Sequence, residues 1–274
     1  MLDPNFPNRL LMSGDRRIVE FIHFLFEEYS KRDLTEETDR CVAISGLEKR
    51  IAGALRCQSR YGIFQQYIHR NLLWQASNNK MERIAYNNQQ VPSWSWMAYN
   101  GSIQFINIPF EKVYWVDTLR FDKKRKSALV TNIREFQDCT MELDGTHYAV
   151  LYFDRVKRGW IQYDVEEGED LCKERCVVVG KVNQDESEDE FKDEFEDESE
   201  DEFEDESKGE SEDEGKDKSE DESKDESEDG YRSVEKYYIL IVRPTSMDGE
   251  YRRVGIGLIQ SDYVVRQRLN VQVV

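Results

Sequence analysis

Residues 184–230 read QDESEDEFKDEFEDESEDEFEDESKGESEDEGKDKSEDESKDESEDG, and such a stretch cannot build a hydrophobic core. Its 47 residues hold 28 Asp or Glu and 5 Lys, with Phe191, Phe195 and Phe203 as the only large apolar side chains. Mutual repulsion and a lack of apolar surface predict a disordered, low-complexity acidic insertion. The segment carries a net charge of −23 against −19 for the whole chain, which leaves +4 on the other 227 residues. Folding is therefore a matter for residues 1–183 and 231–274, a nearly neutral remainder with apolar content enough for a sizeable core.

That remainder changes character near residue 80. GDRRIVEFIHFLFEEYSKR places Ile18, Ile22, Leu25 and Tyr29 at helical spacing, with Phe21 beside them and Ser13 or Asp15 as N-cap. LTEETDRCVAISGLEKRIAGALR predicts a second helix from near Thr35, acidic at Glu36 and Glu37 where the helix dipole favours it. Gly46 and Gly53 weaken that helix and predict a break or a close helix contact. GIFQQYIHRNLLWQ predicts a third, with Ile63, Tyr67 and Leu72 or Trp74 along one side. From residue 90 onward, short β-branched and aromatic runs alternate with turn residues, from SWSWMAY and SIQFINI to RRVGIGLIQ and DYVV. This pattern predicts an antiparallel β domain of sandwich or barrel type. The expected fold is α+β: a helical region, 1–80, packed on a sandwich- or barrel-like domain, 90–183 plus 231–274. The acidic run falls between two strands, CVVVGKV and YYILIVRP.

VPSWSWMAYNGSI, residues 91–103, spends two of the five tryptophans one residue apart. Asn-Gly between alternating apolar residues is a hairpin signal, because both turn positions need positive φ. With Asn100 and Gly101 as the loop, Trp96 faces Phe105, and Trp94, Trp96 and Ala98 share a buried face. Ser93 and Ser95 then occupy the opposite, polar face. The alternative is an exposed aromatic platform that binds a ligand; the alternation favours core packing.

YSKRDLTEETDRCVAISGLEKRIA, YGIFQQYIHRNLLW and VPSWSWMAYNG occur in the order and spacing of fungal heterokaryon incompatibility (HET) proteins. The chain resembles the region downstream of their signalling domain, and YYILIVRPTSMDGEYRRVGIGLI is similar to their closing strands. The resemblance implies that Asp39, Arg40, Ser45, Gly46, Leu73, Trp74, Pro92, Trp94 and Trp96 form a structural motif with no catalytic member. It also implies a link to fungal nonself recognition and programmed cell death. The signalling domain, with its stretch similar to YxWIDxxCI, has no counterpart here, so a shortened member without the effector half is expected.

Other chemistry is sparse. There is no GxSxG elbow, P-loop or dinucleotide fingerprint. Cys41, Cys57, Cys139, Cys172 and Cys176 are an odd set without a disulfide framework, which predicts reduced thiols and a cytoplasmic location, with the nucleus as the alternative. His23 is expected at the edge of the first helix, His69 in the third and His147 in a turn-strand segment. Cys172 and Cys176 with His147 give three zinc candidates where structural sites use four ligands, and Cys176 also reads as a small buried hydrophobe. Arg252, Arg253, Arg266 and Arg268 read as solvated strand faces, and +4 over 227 residues argues against nucleic-acid binding. No apolar run approaches a membrane span. Ser187, Ser199, Ser207, Ser211, Ser219 and Ser223 each have Glu three residues on, the pattern of acidophilic phosphorylation. The acidic run is either a lure for basic proteins or a repeat expansion in a tolerant loop. The expected function is a non-enzymatic interaction region without cofactor or metal, acting through protein partners. The alternative is a charge-driven binder of basic proteins.

Overall fold

Apolar side chains recurring every three or four residues open the fold. Helix α1, Asp15–Ser30, buries Ile18, Val19, Ile22, Phe26 and Ser30. It starts at Gly14, φ 82°, with no side-chain cap, so neither Ser13 nor Asp15 caps it; Asp15 instead accepts a 2.7 Å hydrogen bond from the Tyr67 hydroxyl. Helix α2, Arg40–Leu55, follows a 3-10 turn at Glu37–Asp39, so the acidic pair at 36 and 37 precedes the α-helix proper. Gly46 and Gly53 neither break α2 nor touch a neighbour, since a Cβ at either would meet nothing within 4 Å. The computed structural model describes residues 12–77, 81–87, 90–137, 140–152, 155–165, 171–182 and 235–274. The acidic run, with the six serines that have Glu three residues on, and Cys139 lie outside the described residues, as do the side chains of Cys172 and Arg266.

The third expected helix is mostly something else. Tyr61 (φ 51°) and Gly62 (φ 79°) form a two-residue turn joining β1, Ser59–Arg60, to β2, Ile63–Phe64. Positive φ at both positions matches the right-handed twist of the paired strands. A 3-10 turn at Gln65–Tyr67 leads to a short α3, Ile68–Leu72, and then to β3, Trp74–Ala76. Ile63, Tyr67, Leu72 and Trp74 are all buried, but on four separate elements of three backbone kinds rather than on one helix.

The Asn-Gly hairpin does not form either. β4, Glu82–Arg83, pairs with β5, Tyr99–Asn100, and β6, Ile103–Phe105, pairs with β3, placing Trp74 opposite Phe105. Only Gly101 of the expected turn has positive φ. Trp96–Ala98 is a 3-10 turn, so Trp96 does not face Phe105. The other edge of β6 is already taken: Ile103 N–H donates to Ser30 Oγ and Phe105 N–H to Glu27 Oε1, at 3.0 and 2.8 Å.

The remaining strands build one sheet. They are β7 (Val113–Trp115), β8 (Arg120–Phe121), β9 (Leu129–Phe136), β10 (Thr140–Asp144), β11 (His147–Leu151), β12 (Lys157–Tyr163), β13 (Arg175–Val182), β14 (Lys236–Pro244), β15 (Glu250–Gln260) and β16 (Val264–Val273). The order is β10-β11-β12-β15-β14-β13-β9-β16, with β7 beside β13 and β8 beside β9. β15 meets β12 at Gly255–Ile259 and, on its first two residues, meets β16 in parallel, so β15, β14, β13, β9 and β16 close a ring. The fold is α+β with a largely antiparallel, barrel-like sheet. The glycines of Gly255-Ile256-Gly257 permit the closest approach: a Cβ at either would run into the carbonyl of Gln162 or Trp160 on β12.

Both sheet faces are buried. Val177, Val179, Leu240, Val242, Ile256 and Val273 pack with Leu72, Leu73 and Trp94 from the N-terminal part. The alternate residues, including Cys176, Val178, Ile239, Ile241 and Ile161, pack with Val150 and Tyr263. A separate core joins α1 and α2 to Phe64, Trp74, Trp96 and Phe105.

β13 and β14 pair antiparallel as far as Lys181 opposite Tyr237, so the acidic run connects adjacent strand ends. Closure entropy rises only logarithmically with loop length. Replacing 184–230 by a six-residue Gly/Ser-Asn-Gly turn should therefore leave the fold intact and raise stability by about 1–2 kcal/mol. Denaturant titration of the shortened chain checks this; loss of cooperative unfolding would show that the run is part of the folded body.

Candidate functional site

Trp74 and the PSWSW segment meet an arginine that sequence reasoning placed in solvent. Arg253, on β15, is 1% exposed. Its guanidinium donates to both Asp164 oxygens, from Nε at 2.9 Å and Nη2 at 3.0 Å. It also donates to the Leu72 carbonyl at 2.7 Å and to the Trp74 carbonyl, and it lies 3.4 Å from the Trp74 ring centroid. Burial pushes the Asp164 carboxyl up from its ordinary range, and the facing guanidinium holds it down. A buried charge pair is tolerable only when its remaining donors and acceptors are satisfied, and the two carbonyls satisfy Arg253.

The PSWSW segment completes this junction. Ser93 and Ser95, expected on a solvated face, are fully buried. Ser93 Oγ accepts from Arg253 N–H at 2.8 Å and donates to the Val274 carbonyl. Ser95 Oγ donates to the Tyr61 carbonyl at 2.8 Å and accepts from Met97 N–H at 3.1 Å. Trp74 Nε1 donates to the Trp94 carbonyl, and Trp94 Nε1 to the Ser127 carbonyl. Pro92 is buried, and its carbonyl accepts from Ser95 N–H. The serines are thus the polar interior of a tight turn that sends Trp94 into the sheet-side core and Trp96 into the helical one.

Arg40 plays a matching part at the start of α2. It is 3% exposed and donates to the carbonyls of Tyr99, Ser30 and Gly101 at 2.7, 2.9 and 3.0 Å, with its guanidinium 5.5 Å from the Trp96 ring. Leu73, Trp74, Pro92, Trp94, Trp96 and Arg40 are therefore brought together, as the seam between helices and sheet. Asp39 and Gly46 stay exposed, and Ser45 donates to the Val42 carbonyl on the outer side of α2.

Burial shifts several titratable groups among the described residues. Burial pushes the Cys41 thiol up to about 11, away from a thiolate nucleophile, beside the Tyr86 hydroxyl and the Met97 sulfur. His23 is half-buried at the edge of α1, as expected; its ring stacks 3.9 Å from Phe105, and burial, with Arg70 nearby, lowers it to about 3. His69 sits against the Val116 carbonyl and is also lowered by burial. Among the described residues, no group of three His, Cys, Asp or Glu is placed to hold a metal ion, and no helix is long and apolar enough to cross a membrane.

Two openings are lined by residues other than Arg253. One, of about 210 Å³, sits where β9, β13 and β16 meet, among Arg134, Arg175, Arg268 and Glu135; Arg268 is paired there with Asp248. The other, of about 240 Å³, separates α2 from Ser59–Tyr61 and is lined by Glu48, Lys49, Arg60, Tyr61 and Lys126. These linings include Ser45, singled out in the sequence as a motif residue, and Arg268, read there as a solvated strand residue. Compared with protein-family models, curated proteins and solved structures, the chain matches none.

Proposed function

We propose that this chain is a non-enzymatic interaction region of the HET-like kind, acting through protein partners in fungal nonself recognition and cell death. The observation that supports it is the use of the motif residues. Arg40, Leu73, Trp74, Pro92, Trp94 and Trp96 are buried along one seam, where the Arg40 guanidinium and the Trp74 and Trp94 indoles donate to backbone carbonyls. A motif spent on joining helices to a sheet preserves a shape, and a preserved shape with the Cys41 thiol held away from thiolate by burial suits recognition better than catalysis.

The test is expression of these 274 residues in a fungal host carrying an intact homologous system. The chain alone should not arrest growth, and it should blunt the response of the intact protein by occupying its partners. Robust killing by the chain alone would place a toxic activity in it and overturn the reading. A second reading, capture of basic proteins, is favoured by the −23 charge of a run tethered at two adjacent strand ends. Salt-sensitive capture of histone-like proteins that disappears when 184–230 is replaced by a short turn would select it.

A further inference from the structure

The geometry points to the cleft between α2 and Ser59–Tyr61 as a binding site for a small phosphate monoester that carries a free hydroxyl. Glu48, 8% exposed, lines the cleft beside Ser59; burial pushes its carboxyl up, and the nearby Ser59 hydroxyl and Gly62 N–H hold it down. A carboxylate offers about four lone-pair sites, so a buried one with two donors retains acceptor capacity toward the cavity it lines. The mouth has the opposite sign. Lys49 on α2, whose charge also acts on Glu48, and Lys126 on the loop between β8 and β9 both line the cleft and are exposed.

Arg60 fixes that mouth. Its Nη1 donates to the Asp122 carbonyl at 2.8 Å, and its guanidinium lies 4.7 Å from the Phe121 ring centroid. The loop is thereby held against β1, with Lys123, Lys124 and Arg125 running into Lys126. Asp122 helps, since its carboxylate accepts from the N–H groups of Lys124 and Arg125 at 2.6 and 2.8 Å. The Tyr61 ring closes one wall, packed edge-on 5.8 Å from Trp94.

The ligand class follows from this polarity. Two exposed ammonium groups match a dianion better than a single carboxylate, and lysine binds phosphate as a point charge. The buried acceptor selects a donor at the far end of the ligand, which a hydroxyl supplies. About 240 Å³ holds a three-carbon phosphate but not a nucleotide and its base. Arg253 does not line the site, so it can fail while the interaction role stands.

The experiment is calorimetric titration of the full chain with glycerol 3-phosphate, inorganic phosphate and glycerol. Glycerol 3-phosphate should bind most tightly, inorganic phosphate more weakly, and glycerol not measurably. Lys49→Gln and Lys126→Gln, both exposed and so safe for folding, should each weaken glycerol 3-phosphate about tenfold, the worth of one charge-assisted contact. Glu48→Gln should weaken glycerol 3-phosphate more than it weakens inorganic phosphate. Arg17→Gln, on the exposed side of α1, should change nothing. Equal affinity for the two phosphates would overturn the hydroxyl assignment. Absence of binding at millimolar ligand, or lysine variants that bind like the parent, would overturn the site.

Discussion

Replacing Arg253 by methionine should cost about 3–5 kcal/mol, because it strands the buried Asp164 carboxylate. The variant also leaves the Leu72 and Trp74 carbonyls without their donor and removes the guanidinium from the Trp74 ring. For a chain of this size that corresponds to a fall in Tm of roughly 10 °C, a large share of ordinary domain stability. Methionine matches the arginine stem in length and apolar character, so the loss reports on the guanidinium and the space it fills rather than on the stem. The double variant Arg253→Met, Asp164→Leu removes the stranded charge and should recover about 1–3 kcal/mol relative to the sum of the single changes. Thermal and denaturant melts of the four proteins measure this coupling. If the double variant is as unstable as the two losses added, the ion pair is not what joins β15 to the helical part.

The importance of Arg253 has no local signal. Its carboxylate partner is 89 residues away in sequence, and its carbonyl acceptors are 179 and 181 residues away. Beside Tyr251 and Arg252, an arginine on a strand has the pattern of a solvated edge. Only the closing of β15 against β12 and β3 takes it out of water. Strands from 113 onward are legible for the opposite reason. Runs such as VVVG and YYILIV can be satisfied by a pleated, two-sided burial and by little else, and the structure places them at Arg175–Val182 and Lys236–Pro244. In the stretch 62–75 burial was legible and backbone was not. Apolar positions at 63, 67, 72 and 74 fit helical spacing, yet the left-handed Tyr61-Gly62 pair starts a hairpin there instead. The cleft at α2 was legible in neither respect: Glu48, Arg60 and Lys126 come from three elements, and only the folded chain makes them neighbours.

Trp94 and Trp96 should each cost about 3–5 kcal/mol when truncated to alanine, since both side chains are fully buried. That outcome separates core from platform, because an exposed aromatic platform loses ligand on truncation and little stability. A finer test uses phenylalanine, which removes the same volume at either position and so isolates the indole N–H. Trp94 Nε1 donates to the Ser127 carbonyl at 3.2 Å, and Trp94→Phe leaves that acceptor unpaired. Trp96 Nε1 is buried with no hydrogen-bond partner among the described residues, so Trp96→Phe removes an unsatisfied donor. Leaving a buried polar group unpaired costs about 1–3 kcal/mol, and removing one regains a similar amount. Trp96→Phe should therefore be milder than Trp94→Phe by about 1–2 kcal/mol, although the two positions share a turn and the substitutions are chemically identical. Hydrogen exchange adds a direction: Trp96→Ala should loosen α1 and α2 first, through lost contacts with Phe26 and Tyr29. Trp94→Ala should act first near Tyr61 and Phe121, on the sheet side. Equal losses from the two phenylalanine variants, with the same amides exposed, would mean that both indoles serve one core and that the turn does not divide them.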